Sequence, residues 1–182
     1  MGPFEFLWLT IFFIFILIAF ARGYGKELGT TTLIFVALFL ITYLAVPRLP
    51  GLINESYRKF FHTALPRRQM EHLLASGLSL TFIAIVFASY AGDTFTFKGK
   101  SAKGMQATLY TLLVGAMNGY LISGTLWYFQ DNYRYPIADL GVLQLPLTQL
   151  GEQIANYLPP YVVPPAFWAI LVAIMLIFKV RK

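Results

Sequence analysis

The sequence predicts an all-α integral membrane protein with about five transmembrane helices and short interfacial helices. Of its 182 residues, 58% are hydrophobic and only 12% are charged, about half the charged share of an ordinary soluble domain. The mean hydropathy is +0.65, and the apolar residues are gathered into runs long enough to cross a bilayer. A soluble chain of this size would expose much of that surface and aggregate. We therefore exclude a soluble enzyme domain, and the absence of cysteine excludes disulfides and thiolate sites.

Five apolar runs of suitable length predict the spans, at residues 4–21, 31–46, 73–92, 107–129 and 162–178. The first is read as a retained span and not as a signal peptide, because the basic residues Arg22 and Lys26 follow the apolar run instead of preceding it. The second stops at Pro47 and Arg48. The last begins with Pro164 and Pro165, which the first turn of a helix tolerates.

Two segments are too polar to span. In residues 51–69, apolar residues recur at helical spacing with Arg58 and Lys59 between them, which predicts an amphipathic helix lying in the interface. Packing of this helix on top of the bundle is an equally good interpretation. Between Pro146 and Pro159, apolar residues at steps of three and four predict a short surface helix.

The distribution of basic residues predicts the orientation, because cytoplasmic loops carry an excess of Lys and Arg. Five spans place eight basic residues on one side, against six on the other. The eight are Arg22, Lys26, Lys98, Lys100, Lys103, Lys179, Arg181 and Lys182. This predicts an outer N-terminus and an inner C-terminus. Trp8, Trp127 and Trp168 fall near span ends on the outer face, the level that tryptophan prefers.

The predicted span interiors contain no Asp, Glu, Lys, Arg or His, which disfavours a transporter, pump or intramembrane enzyme. Glu5 lies in the first turn, where its carboxylate can reach the headgroups. His62 and His72 lack a third ligand at metal spacing, and no phosphate-binding or nucleophile motif occurs. We expect no enzyme activity, no metal and no cofactor.

Small residues recur every four positions in the third and fourth spans: Ala84, Ala88 and Gly92, then Gly115, Gly119 and Ser123. Such spacing lets helix backbones approach closely in lipid. It predicts either an interface with a partner or second copy, or packing of the third span against the fourth, which we favour. Asn118 is the strongly polar side chain near the bilayer centre, and we expect it to bond to a neighbouring helix or carbonyl; a role in ligand binding is the less favoured alternative.

A glycine-rich basic segment follows the first span and contains Arg22, Gly23, Tyr24, Lys26 and Glu27. Arg22 and Lys26 would repel each other on one helix face, and the glycines weaken a helix. The segment therefore predicts a flexible basic turn at the headgroups, anchored by Tyr24.

In this turn and in the Gly115–Gly119 stretch, the chain resembles the colicin V production protein (CvpA) family of small bacterial inner-membrane proteins. That family has an R-G-[FY]-x-x-E-type turn, which here runs from Arg22 to Glu27. It also has a G-a-x-x-G-type stretch, where an arginine commonly precedes the final glycine and this chain has Asn118. The resemblance covers residues 1–160 as a four-span membrane domain, and leaves residues 161–182 as an additional C-terminal transmembrane helix.

The resemblance implies a non-catalytic protein of the bacterial inner membrane, linked to colicin V export (a toxin biosynthetic process) and to envelope integrity. It would act through helix packing and contacts with membrane lipids or partners. The alternative is an accessory or assembly subunit of a large membrane complex, such as a respiratory or photosynthetic assembly. Expected partners are lipids and other membrane subunits or further copies of the chain, and no nucleic acid.

Overall fold

The all-α prediction is confirmed by a computed structural model, which describes residues 4–91, 96–97, 104–141 and 143–180. Over these ranges the chain forms helices and connecting turns, with no β-strand. The helices in chain order are α1 (Phe4–Arg22), α2 (Tyr24–Phe39), a π-helical segment (Leu40–Ala45), α3 (Val46–Phe61), α4 (Arg67–Ala91), α5 (Met105–Asn132), a 3₁₀ turn (Pro136–Leu140), α6 (Gln149–Ala155), α7 (Pro159–Val162) and α8 (Pro165–Val180).

Four helical stretches are long and apolar enough to span a membrane. They are α1, α4, α5 and the continuous 38-residue helix that begins with α2 and ends with α3. The last predicted span corresponds to α8, which is apolar but has only 16 residues. At about 1.5 Å per residue it is roughly 24 Å long, short of the ~30 Å hydrocarbon core. The fifth span and the division of the chain at residue 160 stay predictions.

The helix that contains the second predicted span extends beyond it at both ends. The helix begins at Tyr24, seven residues before the predicted start, and continues past Pro47 and Pro50 to Phe61. The π-helical segment immediately before Pro47 widens the turn that receives the proline ring, which relieves the clash that ends most helices at proline. The glycines after α1 do not prevent helix formation. Gly25 and Gly29 lie within α2, and only Gly23 lies outside a helix.

Helix α5 is the centre of the bundle and packs against α1, α2, α4 and α7. Its contacts with α1 run antiparallel, since Phe4 lies beside Trp127 (ring centroids 5.0 Å apart) while Gly115 lies beside Ala19. The C-terminal half of α2 packs against α8, where the ring of Phe35 contacts the ring of Trp168. The bundle thus has two ends, which we call the Glu5 end and the Arg22 end. Seventeen residues of α1 separate them, about 26 Å of helix.

Helix α3 has no buried residue. It ends at Phe61, so the predicted helix over residues 51–69 is too long, and Arg67 already begins α4. The side chains of Phe60 and Phe61 are 81% and 62% exposed. This exposure favours the interfacial interpretation of α3 over packing on the bundle.

Asp139 in the 3₁₀ turn tethers that turn to the start of α4. Its carboxylate accepts two hydrogen bonds from Arg68, at 2.6 and 2.7 Å, and lies 2.7 Å from His72 Nε2. The hydrogen bonds from Arg68 and His72 lower the pKa of Asp139 from 3.8 to about 2. A lowered folded-state pKa contributes stability that is present above pH 4 and is lost as the pH falls through about 2.

We expect the stability difference between the wild type and Asp139→Asn to shrink as the pH is lowered from 5 to 2. At pH 5 only the wild type has the carboxylate tether, whereas at pH 2 its Asp139 is half protonated. Carboxylates that do not share Arg68 with Asp139, as Glu71 does, titrate equally in both proteins and cancel in the difference. The measurement is the free energy of unfolding of both proteins in mixed micelles, and a difference that does not change with pH would refute the tether.

Candidate functional site: a buried ionic cluster joining four helices

The connection between α1 and α2 is a sharp turn at Gly23, and the segment predicted as a basic turn is helical from Tyr24 onward. Gly23 adopts φ 81°, a backbone conformation that glycine accepts without strain. Its N–H donates to the carbonyl of Ala19 at 2.8 Å, and α2 starts at the next residue. Phe97 N–H donates to the Gly25 carbonyl at 3.1 Å, which fastens the later part of the chain onto this turn.

The turn brings Arg22 of α1 back onto Glu27 of α2. Arg22 Nη1 lies 2.8 Å from Glu27 Oε1, and the Glu27 side chain is fully buried whereas that of Arg22 is 18% exposed. The other carboxylate oxygen, Oε2, accepts hydrogen bonds from Tyr90 of α4 at 3.0 Å and from Asn118 of α5 at 2.9 Å. One carboxylate is therefore bonded to side chains of three other helices.

Further contacts complete this group, which we call the Glu27 cluster: Arg22, Glu27, Thr30, Thr31, Tyr90 and Asn118. Arg22 Nη1 also donates to Thr30 Oγ1 at 3.0 Å, and its guanidinium carbon lies 4.3 Å from the centre of the Tyr90 ring, a cation–π contact. Asn118 is fully buried, and its carbonyl oxygen accepts from Thr31 at 2.7 Å.

The Glu27 cluster buries an ionisable pair against α5, although Glu27 itself lies four residues before the second predicted span. Glu27 lies on the long helix that begins at Tyr24, and it contacts Asn118 near the midpoint of α5. Thirteen residues separate Asn118 from Met105, about 20 Å of helix. An ionised group at such a place is costly unless it is paired and hydrogen-bonded, and Glu27 is both.

Gly115 and Gly119 pack against α1, not against α4 as predicted. A Cβ added to Gly115 would lie 2.6 Å from Ala19 Cβ, and one added to Gly119 would lie 2.7 Å from the carbonyl oxygen of Phe12. Ser123, on the same face, is 2% exposed and donates to the Gly119 carbonyl. The small residues therefore allow α1 and α5 to approach closely.

The small residues of α4 lie elsewhere. Ala84 and Ala88 are exposed, and Gly92 lies outside the described residues. Helix α4 instead turns Leu78, Phe82 and Val86 inward. Lys26 is exposed, and the partly buried Tyr24 has its ring 6.0 Å from that of Tyr110. Lys98, Lys100 and Lys103 also lie outside the described residues.

The interpretation of all three tryptophans as headgroup anchors is wrong. Trp127 and Trp168 are 1% and 2% exposed inside the bundle. Trp127 Nε1 donates to the Tyr135 hydroxyl at 2.8 Å, so its polar edge is bonded within the protein. Glu5 is also buried, at 4% exposure, and bonds to Thr148. It therefore does not extend to the headgroups as we expected.

The sequence singled out Arg22, Glu27 and Asn118, but in two separate motifs that the fold brings together. Thr30, Thr31 and Tyr90 were missed. The threonines had a signal, since they follow Glu27 by three and four residues and so share its helix face. Tyr90 had none, because its contact depends on how α4 is rotated.

The Glu27 cluster can link helices to one another, because a guanidinium, a phenol and an amide all bond to one carboxylate. The described residues contain no group of three His, Asp or Glu side chains placed to hold a metal ion. Comparisons with family models, with curated proteins and with solved structures found no significant match to this chain.

Proposed function

We propose that this chain is a non-catalytic multi-span membrane protein that acts through contacts of its helices with lipid and with partner helices, as the resemblance to the colicin V production family implies. One observation carries the proposal. Both oxygens of the buried Glu27 carboxylate are bonded within the protein, to side chains of α1, α4 and α5. Its negative charge serves to hold helices together and is not offered to a substrate.

The exposed surface of α3 supports the lipid part of the proposal. Arg48, Arg58 and Lys59 lie on a helix with no buried residue, and the apolar Leu52, Phe60 and Phe61 are exposed. A basic amphipathic helix of this kind binds anionic headgroups through its cations and the acyl boundary through its apolar side. Because α3 continues a spanning helix, it is held close to that boundary.

A second candidate function, as an accessory or assembly subunit of a larger membrane complex, is favoured by the exposed side of α4. Ala84 and Ala88 lie four residues apart there and are covered by no other described part of the chain. In lipid, such a small-residue surface permits close approach of a helix from another protein.

We further propose a bacterial cytoplasmic membrane location with the N-terminus outside. The eight-to-six distribution of basic residues supports this orientation.

Purification from native membranes in a mild detergent tests the two functions. If the purified particle contains this protein alone, the result supports the first function, which the resemblance to the colicin V production family implies. If it contains other proteins in fixed stoichiometry, the result supports the second function, as a subunit of a larger complex. Where the particle holds more than one chain, we expect Ala84→Leu with Ala88→Leu to weaken the association of the chains while leaving the free energy of unfolding of this chain nearly unchanged. Ser76→Leu, another exposed position of α4, is the control. Copurification of an enzyme activity that requires Glu27 would contradict the non-catalytic proposal.

A further inference from the structure

An open groove runs along the polar side of α3. It has a volume of about 360 Å³ and is lined by Gly51, Asn54, Glu55, Arg58 and Lys59, which recur at the three- and four-residue spacing of one helix face. A Cβ placed on Gly51 would meet no atom within 4 Å, so this part of the groove is unobstructed. The volume is roughly that of twelve liquid waters, which is enough to receive a phospholipid headgroup.

The groove presents hydrogen-bond donors and positive charge. The exposed Arg58 side chain forms no ion pair or hydrogen bond with any residue that the structure describes. Asn54 accepts a hydrogen bond from Leu65 N–H at 3.3 Å through its carbonyl oxygen, so its amide N–H groups stay available. Lys59 is paired with Glu55 at 3.3 Å, and α3 as a whole has three cations and one carboxylate. The groove therefore complements an anion that accepts several hydrogen bonds, as a phosphate does.

The length of the helix places the start of α3 at the edge of the membrane. Residues 28–47, between Glu27 and Arg48, contain no Asp, Glu, Lys, Arg or His. At 1.5 Å per residue they cover about 30 Å, the thickness of the hydrocarbon core. Arg48 therefore lies at the boundary of the core. The π-helical segment and Pro47 lie at the same level, and both are features at which helices bend.

The exposed aromatic residues favour a helix that lies along the headgroup layer. Leu49 and Ile53, on the apolar side of α3, pack against the core of the bundle, whereas Phe60 and Phe61 farther along that side are exposed. On a helix projecting straight out, Phe60 would lie about 18 Å from Arg48, past a headgroup layer only ~5–8 Å thick. A helix along the layer gives both rings the acyl boundary and keeps the groove at the level of the phosphates.

We propose that the groove of α3 binds the phosphate of an anionic phospholipid, with Arg58 and Asn54 as the donors and the acyl chains beside Phe61. Phe61 lies three residues after Arg58 and seven after Asn54, so its ring borders the groove on the apolar side. This apolar neighbour favours a lipid over free phosphate. The inference rests on the lipid part of the proposed function and deepens it, because it names the class of lipid and the residues that select it.

The test compares phosphatidylglycerol with phosphatidylcholine of identical acyl chains, each bound to the full chain in detergent and measured by native mass spectrometry. We expect the wild type to prefer phosphatidylglycerol, which lacks the compensating ammonium group. Arg58→Gln should weaken phosphatidylglycerol binding roughly fivefold, the effect of one basic residue near an anionic headgroup, and narrow the preference. Glu55→Gln should widen the preference, because it removes the carboxylate that repels the phosphate and releases Lys59.

Arg67→Gln is the matched control, because Arg67 is an exposed arginine outside the groove and is already paired with Glu71 at 3.1 Å. It should leave the preference unchanged. Equal binding of the two lipids by the wild type, or equal effects of Arg58→Gln and Arg67→Gln, would overturn the inference. The proposed function would survive either result, since contact with lipid requires no preference among lipids. Displacement of phosphatidylglycerol by millimolar inorganic phosphate at constant ionic strength would overturn the lipid as the ligand.

Discussion

Gly119→Leu is expected to cost the upper half of the ~1–3 kcal/mol that overpacking of a tight site typically costs. A Cβ at this position would lie 2.7 Å from the backbone carbonyl of Phe12, and a backbone atom cannot swing aside as a side chain can. The leucine must push α1 away from α5 and so weaken the largest helix contact in the bundle. The free energy of unfolding in mixed micelles, from a reversible titration with SDS, measures the cost.

Gly51→Leu is the matched control. Gly51 also lies within a helix, but a Cβ there would meet no atom within 4 Å. Since glycine disfavours the helical state, the substitution should be neutral or slightly stabilising. Similar costs for the two variants would mean that α1 and α5 are not in close contact at Gly119.

Glu27→Gln is expected to produce the largest effect among substitutions that preserve side-chain size. Breaking a buried ion pair from one side typically costs about 3–5 kcal/mol, because the remaining charge is left buried without its partner. Arg22 keeps some contact with its surroundings, being 18% exposed, so we expect the lower part of that range. The same unfolding titration gives the value.

Glu55→Gln is the control for this substitution. Glu55 pairs with Lys59 at 3.3 Å, but both side chains are largely exposed on α3. Pairs of this kind contribute about 0.3–0.5 kcal/mol. If Glu27→Gln lowers the free energy of unfolding by no more than Glu55→Gln does, then Glu27 is solvated and is not held in a buried ion pair.

The long apolar helices could be predicted because the bilayer imposes a length that composition reveals directly. The start of α2 could not be predicted from the sequence. The residues Gly23, Gly25 and Gly29 indicate a weak helix by local propensity, yet the ion pair of Glu27 and the packing of α2 on α5 stabilise a helix from Tyr24 onward.

The candidate site was predictable in its parts but not as a whole. Arg22 and Glu27 are five residues apart, whereas Asn118 is 91 residues from Glu27. Their meeting depends on the rotation of α5, which places Gly119 against α1 and Asn118 against α2. Apolar periodicity cannot determine that rotation in a lipid-facing helix, because lipid and the protein interior are equally apolar.

A double-mutant cycle on Arg22 and Glu27 tests the Glu27 cluster most directly. The free energy of unfolding is measured for the wild type, Arg22→Gln, Glu27→Gln and the double variant, beside the same cycle on Lys59 and Glu55. The buried pair predicts a coupling energy well above ~1 kcal/mol, the upper limit for exposed pairs, with the double variant more stable than the sum of the single losses implies. A coupling energy as small as that of the Lys59 and Glu55 pair would contradict a buried charge clamp between α1 and α2.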